Sequence, residues 1–313
     1  MTPVCERVAV LGLGLLGGSV ALAARERGVA SCVAGATRRR DVLDEALKRG
    51  LIDEAGDYET AARGADLVVL ATPVFAMGDV LRRIAPVLQE GAVVTDVGSV
   101  KGSLADTLPG LLGPGAVYVG SHPMAGSHQH GFGAVRKDLF EGAPCVVMES
   151  EHTEARQRVC AFWRGLGARI VDRTPAAHDE DVAWMSHVPH ALAFAFARAL
   201  ADAPERAFEV RGAGFRDFTR IAQSDAELWS DILSANRKAL TAPLQSVMQR
   251  LGELSRALEA EDSEALERFI AAARAALSDG EIRWTDHHPK TRTPDGAEGR
   301  SGRGTEPESV KNR

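Results

Sequence analysis

A glycine-rich junction near the start of the chain constrains the fold more than any other feature. The stretch "VAVLGLGLLGGSVALAA" places Gly12, Gly14 and Gly17 between a strand-like run and a helix-like segment. The first glycine permits a tight turn, the second lets a pyrophosphate approach the backbone, and the third allows close helix packing. The helix start favours an anion, so Leu15 and Leu16 are expected to contact it too. The junction predicts a dinucleotide-binding βαβ unit; the alternative is a glycine-rich turn without a ligand.

The order of apolar runs predicts the rest of the fold. Between Arg7 and Arg173, short β-branched runs alternate with helix-like segments; these runs are "RVAVLG", "SCVAGA", "DLVVLAT", "AVVTDVGS", "VYVGSH", "CVVMES" and "ARIVDR". Near-continuous apolar strands of this kind suit a parallel sheet covered on both faces. After Thr174 only helical patterns follow. We therefore predict an α/β Rossmann-type parallel-sheet nucleotide-binding domain at residues 1–174, followed by an all-α domain at residues 175–284.

The C-terminal third contains one long amphipathic pattern and a polar end. An apolar stripe at helical spacing is formed by Leu240, Leu244, Val247, Leu251, Leu254 and Leu258. Such a stripe suits either an ordinary core helix or a dimer interface. Residues 285–313 are rich in Gly, Pro and charge, so we expect a disordered polar tail there.

Charge and cysteine content exclude several classes of function. The chain of 313 residues has 37 Lys plus Arg against 43 Asp plus Glu, a formal net charge of −6, so we expect no nucleic-acid or membrane partner. Its four cysteines lack metal-ligand spacing, so we expect reduced thiols and no metal. No leader-like segment and no long apolar run were found, which favours a cytoplasmic protein.

The end of the second predicted strand indicates which dinucleotide is bound. An acidic residue there would hold a ribose 2′-hydroxyl, but the chain reads "GATRRRD", with Thr37 in the expected place. Thr37, Arg38 and Arg39 offer hydrogen bonds to a 2′-phosphate, which a carboxylate would repel. The pattern predicts NADP as the preferred cofactor, with NAD possible. The alternative is a solvated basic turn.

Loops after the predicted strands supply candidate reacting groups, because a nicotinamide lies beyond the carboxyl ends of the strands. One loop offers Thr72 and Pro73 to the cofactor, and "DVGSVK" offers Ser99 and Lys101. Lys101 either binds a cofactor phosphate or is solvated. In "GSHPMAGSHQHGF", His122 follows a strand, and its neutral imidazole can accept a substrate proton during hydride transfer.

Five motifs, in this order, resemble the prephenate and arogenate dehydrogenases of tyrosine biosynthesis. They are "GLGLLGGS", "DVGSVK", "GSHPMAGSxxxG", "SHVPHALAFA" and "GFRDFTRIAQSDAELWSDI", and they span about residues 7 to 284. The resemblance implies a nucleotide-binding domain, a helical domain that forms a homodimer, and an active site between them. It implies oxidative decarboxylation of a cyclohexadienol with NAD(P)⁺ as the hydride acceptor.

The resemblance also assigns roles to individual residues. His122 matches the histidine that hydrogen-bonds the substrate 4-hydroxyl, and Ser99 matches the serine that orients this histidine and the nicotinamide. Arg220 matches the arginine that binds a substrate carboxylate. His187 and His190 match a histidine pair that faces the site, and His190 is expected to touch the substrate.

Neighbouring residues bear on the choice of substrate. Several relatives carry a carboxylate where this chain has His128. Because arogenate carries an ammonium group and prephenate a keto group, His128 favours prephenate. Asp217 is a possible partner of Arg220, and Asp225 is expected to cap a helix.

Prephenate dehydrogenase is thus the leading hypothesis, and three others stand beside it. An arogenate dehydrogenase would make tyrosine directly. A β-hydroxyacid dehydrogenase shares the two-domain layout but usually depends on a lysine in the helical domain. A non-catalytic NADP(H) sensor would need the glycines but not His122, Ser99 and Arg220 together.

Overall fold

The computed structural model describes residues 2–125 and 131–287, with side chains up to residue 278. The described residues pack as two compact units, one up to Ser246 and one from Val247 on. The predicted domain bounds at residues 174 and 284 stay predictions.

A six-stranded parallel sheet forms the centre of the first unit. Its strands are β1 (Cys5–Leu11), β2 (Ala30–Ala36), β3 (Glu54–Gly56), β4 (Leu67–Leu70), β5 (Val93–Asp96) and β6 (Val117–Tyr118). Their order in the sheet is β3-β2-β1-β4-β5-β6. The strand order therefore reverses between β1 and β4. In this fold class, a dinucleotide binds in the crevice that forms at this point, beyond the carboxyl ends of the strands.

Helices cover both faces of this sheet, which explains the apolar runs. The helices are α1 (Leu15–Glu26), α2 (Arg40–Lys48), α3 (Tyr58–Ala62), α4 (Val74–Ile84) and α5 (Gly102–Thr107). In β1, Val8 and Val10 belong to one core cluster, and Ala9 and Leu11 belong to the other. Successive side chains of a strand point to opposite faces, so a strand buried on both sides must be apolar throughout.

A second, smaller sheet was not predicted. It contains β7 (Ser121–Pro123), β8 (Pro144–Met148) and β9 (Arg169–Arg173), and α6 (Thr153–Gly165) connects β8 to β9. The six-stranded parallel sheet confirms the predicted fold class. The last two runs, β8 and β9, are parallel to each other but lie in this separate sheet, in which β7 is antiparallel to β8. The run "VYVGSH" is split between β6 and β7, so the chain leaves the first sheet after Tyr118 and joins the second at Ser121.

Beyond β9, the described chain is helical, as predicted. Its helices are α7 (Pro175–Val182), α8 (Val188–Ala199), α9 (Ala213–Arg220), α10 (Ala226–Ala235), α11 (Arg237–Glu259) and α12 (Ser263–His287). A π-helical turn, Ala183–His187, joins α7 to α8. Pro189 explains this turn, because proline has no N–H to donate and its ring clashes with the carbonyl four residues earlier.

The predicted leucine stripe lies within α11. Leu240 is buried, whereas Leu251 and Leu258 are exposed. The helix α12 includes residues 285–287, which the sequence had assigned to the polar tail, and residues 288–313 lie outside the described residues. No described helix is both long and apolar enough to cross a membrane.

Candidate active site

The glycine turn between β1 and α1 has the shape that a dinucleotide requires. Gly12 has a φ of 109°, and a Cβ at this position would lie 2.5 Å from the Ala71 carbonyl oxygen. A Cβ at Gly17 would lie 1.8 Å from the Gly12 oxygen, so only glycine lets α1 approach the turn. Gly14 caps α1 without a side chain, and a Cβ there would meet nothing within 4 Å. At Gly14, the unpaired amides at the start of α1 thus face open space.

Thr72 supports the same assignment from the neighbouring strand. It follows β4, and its Oγ1 is buried without a hydrogen-bond partner among the described residues. Burying an unpaired hydroxyl costs about 1–3 kcal/mol, and a bound polar ligand would remove that cost. The residues of this turn therefore fit a dinucleotide.

One large cavity lies beside the turn. It measures about 670 Å³ and is lined by both the sheet residues and the helical segments. Its sheet side includes Gly14, Leu15, Leu16, Thr72, Pro73 and Ser99. Its helical side includes His190, Arg220, Gln223, Asp225 and Trp229. The structure thus brings together residues that are more than 200 positions apart in sequence.

The helical wall offers the stacked imidazole of His190 and the guanidinium of Arg220. The His190 ring stacks on Trp229, with centroids 3.7 Å apart and planes 20° apart. His190 Nδ1 lies 2.8 Å from the Ser186 carbonyl oxygen, so Nδ1 donates and Nε2 is left for a ligand. Burial lowers the pKa of His190 below its ordinary value, although the Ser186 bond opposes the shift. Arg220 is exposed and has no ion-pair partner among the described residues, Asp217 included.

His122 lies in β7 and belongs to a hydrogen-bonded chain. Its Nδ1 is 2.8 Å from His178 Nε2, and His178 Nδ1 is 2.8 Å from Asp179 Oδ1. Burial lowers the pKa of His122 well below its ordinary value, and the nearby His178, Lys101 and His187 lower it further. His122 is therefore neutral at neutral pH, in the form that accepts a proton or a hydrogen bond.

Lys101 corrects the sequence analysis. It is fully buried, and its Nζ forms an ion pair with the equally buried Asp96 carboxylate. It therefore neither lies in solvent nor points to a cofactor phosphate. Asp96 also accepts from Tyr118 Oη at 2.8 Å and from the Ser121 and Gly98 amides at 3.2 and 2.8 Å. The pair fixes the loop that carries Ser99.

His187, the other histidine of the predicted pair, lies in the π-helical turn before α8. It is 1% exposed, and neither His187 nor the half-buried His122 is among the residues that line the cavity. The Asn236 side-chain nitrogen donates to the Asp179 carbonyl oxygen at 2.8 Å. The same nitrogen lies 2.9 Å from His187 Nδ1. Burial lowers the pKa of His187 to about 4. His187 packs edge-on to Trp229 and supports the wall, and its predicted contact with the substrate stays a prediction.

A second cavity, of about 360 Å³, lies beyond the end of β2. Thr37, Arg38 and Arg40 line it. Arg39 does not line it, because its guanidinium pairs with Asp41. Arg40 pairs with Asp44 at 3.3 Å, whereas Arg38 has no ion pair among the described residues. Arg38 is thus the guanidinium most available to an anion here.

His128 lies outside the described residues, since the structure leaves out residues 126–130. Asp225 caps α10 as predicted, accepting from the Leu228 amide at 2.8 Å. No group of three or more His, Cys, Asp and Glu among the described residues could hold a metal ion.

Comparison with known proteins decides the family. The model of the prephenate dehydrogenase nucleotide-binding domain matches residues 20–172, and that of the prephenate dehydrogenase dimerization domain matches residues 174–272. The chain belongs to the prephenate dehydrogenase family. It is a dehydrogenase of this family with a Rossmann-like domain followed by a helical domain.

Three relatives illustrate the similarity. A prephenate dehydrogenase from Lactococcus lactis subsp. cremoris (strain MG1363) is 32% identical over 270 residues, which are 85% of this chain and 75% of that protein. A crystal structure of prephenate dehydrogenase from A. aeolicus in complex with hydroxyphenyl propionate and NAD⁺ is 29% identical, with a TM-score of 0.79, over 88% of this chain and 98% of that one. The crystal structure of Synechocystis arogenate dehydrogenase is 31% identical, with a TM-score of 0.73, over 87% of this chain and 99% of that one.

For this member of the prephenate dehydrogenase family, sequence reasoning missed His178, Asp179 and Asn236. His178 is 56 residues from His122 along the chain, and no motif spacing joins them. The one available signal was the pair of polar residues in "AAHDED", on a helix that Thr174 and Pro175 begin. The pair resembles an ordinary solvated helix start, so only the fold reveals its burial.

We expect Lys101→Met to lower the free energy of unfolding by about 3–5 kcal/mol, because it leaves the Asp96 carboxylate buried and without its cation. Chemical denaturation measures the change. Arg173→Met is the matched control, since it removes an exposed ion pair with Asp181 and should cost at most about 1 kcal/mol. Equal losses in the two variants would contradict the importance of the buried pair.

Proposed function

We propose that the protein is a prephenate dehydrogenase, which converts prephenate and NAD(P)⁺ to 4-hydroxyphenylpyruvate, CO₂ and NAD(P)H, with NADP⁺ preferred. One observation carries the proposal: a single cavity is lined by the glycine turn and Ser99 on one side and by His190 and Arg220 on the other. This arrangement supports a site in which a nicotinamide and an anionic substrate meet. It is more than a dinucleotide sensor requires.

His122 acts as the hydrogen-bond acceptor for the 4-hydroxyl of the substrate. Its lowered pKa supports this role, since a protonated ring would have no lone pair to offer. A nicotinamide held at the glycine turn and Thr72 would supply the hydride acceptor for the carbon that bears this hydroxyl. The ring carboxylate then leaves as CO₂, and the electrons of the broken bond complete the aromatic ring. Ser99 helps to orient His122 and the nicotinamide.

Arg220 and His190 bind the substrate. A guanidinium without a carboxylate partner suits a carboxylate ligand, which it can bind through two parallel hydrogen bonds. Such a local site is needed because the chain as a whole has a net charge of −6. His190, held by Ser186 and stacked on Trp229, offers Nε2 to the substrate from the same wall.

Arogenate is the second candidate substrate, and Asp225 favours it. Asp225 lines the cavity and could attract the ammonium group that distinguishes arogenate from prephenate. However, its Oδ1 already accepts the Leu228 amide as a helix cap. Together with His128 in place of the carboxylate of several relatives, this favours prephenate.

The NADP preference rests on the cavity at the end of β2. Asp44 and Asp57 also line it, but Asp44 pairs with Arg40 and Asp57 accepts the Thr60 amide as a helix cap. Arg38 and Thr37 are therefore the groups that would hold a 2′-phosphate. A homodimer through the helical domain is supported by the matching dimerization-domain model and by exposed Leu251 and Leu258 on α11.

The first test is an initial-rate assay of prephenate and arogenate, each with NADP⁺ and NAD⁺. We expect turnover to be fastest with prephenate and NADP⁺, and His122→Asn to lower kcat roughly 10²–10⁴-fold because it removes the acceptor. Since the neutral ring is the active form, kcat/KM should fall only as the pH drops through the lowered pKa of His122, below 6.5.

Dinucleotide affinity, measured by calorimetry, should hardly change in His122→Asn. The control is His152→Asn, which alters an exposed histidine before α6. Turnover with arogenate but not with prephenate would support the proposed mechanism and contradict the proposed substrate. Binding of NADP⁺ without turnover of either substrate would favour the sensor.

Arg220→Ala should raise the KM for prephenate roughly 10–100-fold and leave dinucleotide affinity nearly unchanged, because a charge-assisted bond contributes about 1.5–3 kcal/mol. Arg216→Ala is the matched control on α9, since Arg216 is also exposed but does not line the cavity. Equal losses for substrate and dinucleotide would indicate a structural role for Arg220.

Arg38→Ala should weaken NADP⁺ binding roughly 10–100-fold and hardly affect NAD⁺, for the same energetic reason. Arg39→Ala is the control, because Arg39 pairs with Asp41 outside the cavity. Titration of each variant with both dinucleotides gives the affinities. A wild-type protein that binds NAD⁺ more tightly would contradict the preference.

A further inference from the structure

Two buried residues behind His122 have no part in the function described above. His178 is 1% exposed and Asp179 is 9% exposed, and both belong to α7. The His122 and His178 rings meet edge to face, with centroids 5.1 Å apart and an interplanar angle of 67°. Two 2.8 Å contacts then lead from His122 Nδ1 through His178 to Asp179 Oδ1. This chain ends on the proposed hydrogen-bond acceptor.

The Asp179 carboxylate is ionised. Burial alone would raise its pKa, but hydrogen bonds from His178 and from the Lys101 and Gly102 amides outweigh burial and hold the pKa below its ordinary value. An ionised carboxylate has only acceptors. The hydrogen between Asp179 and His178 therefore belongs to His178 Nδ1.

The position of the hydrogen on His178 bears on the hydrogen between His178 Nε2 and His122 Nδ1. When His178 carries only this hydrogen on Nδ1, its bare Nε2 faces His122 Nδ1. His122 must then donate from Nδ1. Because burial keeps His122 neutral as well, its own Nε2 carries no hydrogen. That nitrogen is the one left to accept the hydroxyl of a substrate.

Asp179 also holds the loop that carries Ser99. Its Oδ1 accepts the Lys101 amide at 2.7 Å, and its Oδ2 accepts the Gly102 amide at 2.8 Å. A Cβ at Gly102 would lie 2.8 Å from Oδ2, so glycine is needed for the carboxylate to come this close. One side chain thus contacts both His178 and the start of α5.

We propose that Asp179, acting through His178, fixes His122 in the tautomer with the hydrogen on Nδ1 and the lone pair on Nε2. Asp179 and His178 are then positioning residues for the acceptor. This inference rests on the role of His122 in the proposed function. It assigns a task to a buried pair that the motifs do not contain.

Asp179→Asn tests the relay. The neutral amide has only one acceptor group, so it cannot accept from His178, Lys101 and Gly102 together as the carboxylate does. The hydrogen on His178 Nδ1 is then held less firmly, and His122 populates both tautomers. We expect kcat to fall roughly 10²-fold or more, while the KM for prephenate and the affinity for NAD⁺ change little. Asp181→Asn is the matched control, because Asp181 is an exposed carboxylate on the same helix.

A spectroscopic readout separates the relay from a merely structural role. Long-range ¹H–¹⁵N correlation spectra of histidine-labelled full-length protein with NAD⁺ report which ring nitrogen carries hydrogen, and the signal lost in His122→Asn identifies His122. We expect hydrogen on Nδ1 of His122 in the wild type and on Nε2, wholly or partly, in Asp179→Asn. Hydrogen on Nε2 in the wild type, or a doubly protonated His178, would overturn the proposal.

A second variant covers the possibility that Asp179→Asn does not fold. His178→Gln leaves the Asp179 contacts with Lys101 and Gly102 in place, and it should lower kcat and give His122 a mixture of tautomers. Wild-type turnover in this variant would also overturn the relay while leaving the proposed function intact. Conversely, a wild-type protein inactive on both substrates would end the proposed function, whereas the spectra would still decide the tautomer.

Discussion

The Asp96 carboxylate, at the carboxyl end of β5, is the contact on which the arrangement of the site depends. It accepts hydrogen bonds from Lys101 Nζ, Tyr118 Oη and the Gly98 and Ser121 amides. These donors come from the Ser99 loop, from β6 and from β7. A buried carboxylate in an ion pair is stable only when its remaining acceptor capacity is satisfied, and here three donors besides Lys101 satisfy it. The positions of Ser99 and His122 follow from this one carboxylate.

Ser121, next to His122, strengthens the same link. Its Oγ donates to the Asp96 carbonyl oxygen at 2.6 Å and accepts from Trp163 Nε1 at 2.9 Å. Trp163 is fully buried on α6, in the core that covers one face of the large sheet. The strand that carries His122 is therefore anchored to the hydrophobic core on one side and to β5 on the other. The Ser121 hydroxyl thus links the position of His122 to the packing of the core.

Local patterns predicted the parts of the molecule that depend on local physics. The glycine turn, the buried parallel strands and the cap at Asp225 each follow from residues close together in sequence. The failures share a different cause. Lys101 and its partner Asp96 are close in sequence, but no pattern shows that both side chains are buried. Asp179 reaches the Lys101 and Gly102 amides across more than 70 positions. Pairings of buried polar groups depend on the completed fold, so sequence spacing alone could not reveal them.

The Asp179 contacts also bear on how the site can move. Asp179 lies beyond the predicted domain boundary at residue 174, yet its carboxylate binds two amides at the start of α5, on the sheet side. A hinge at this boundary would break both bonds and leave a charge without partners, each bond contributing about 1.5–3 kcal/mol. Opening of the cleft by rotation about residue 174 is therefore disfavoured. The Asp179 carboxylate thus ties α7 to the start of α5, on either side of that boundary.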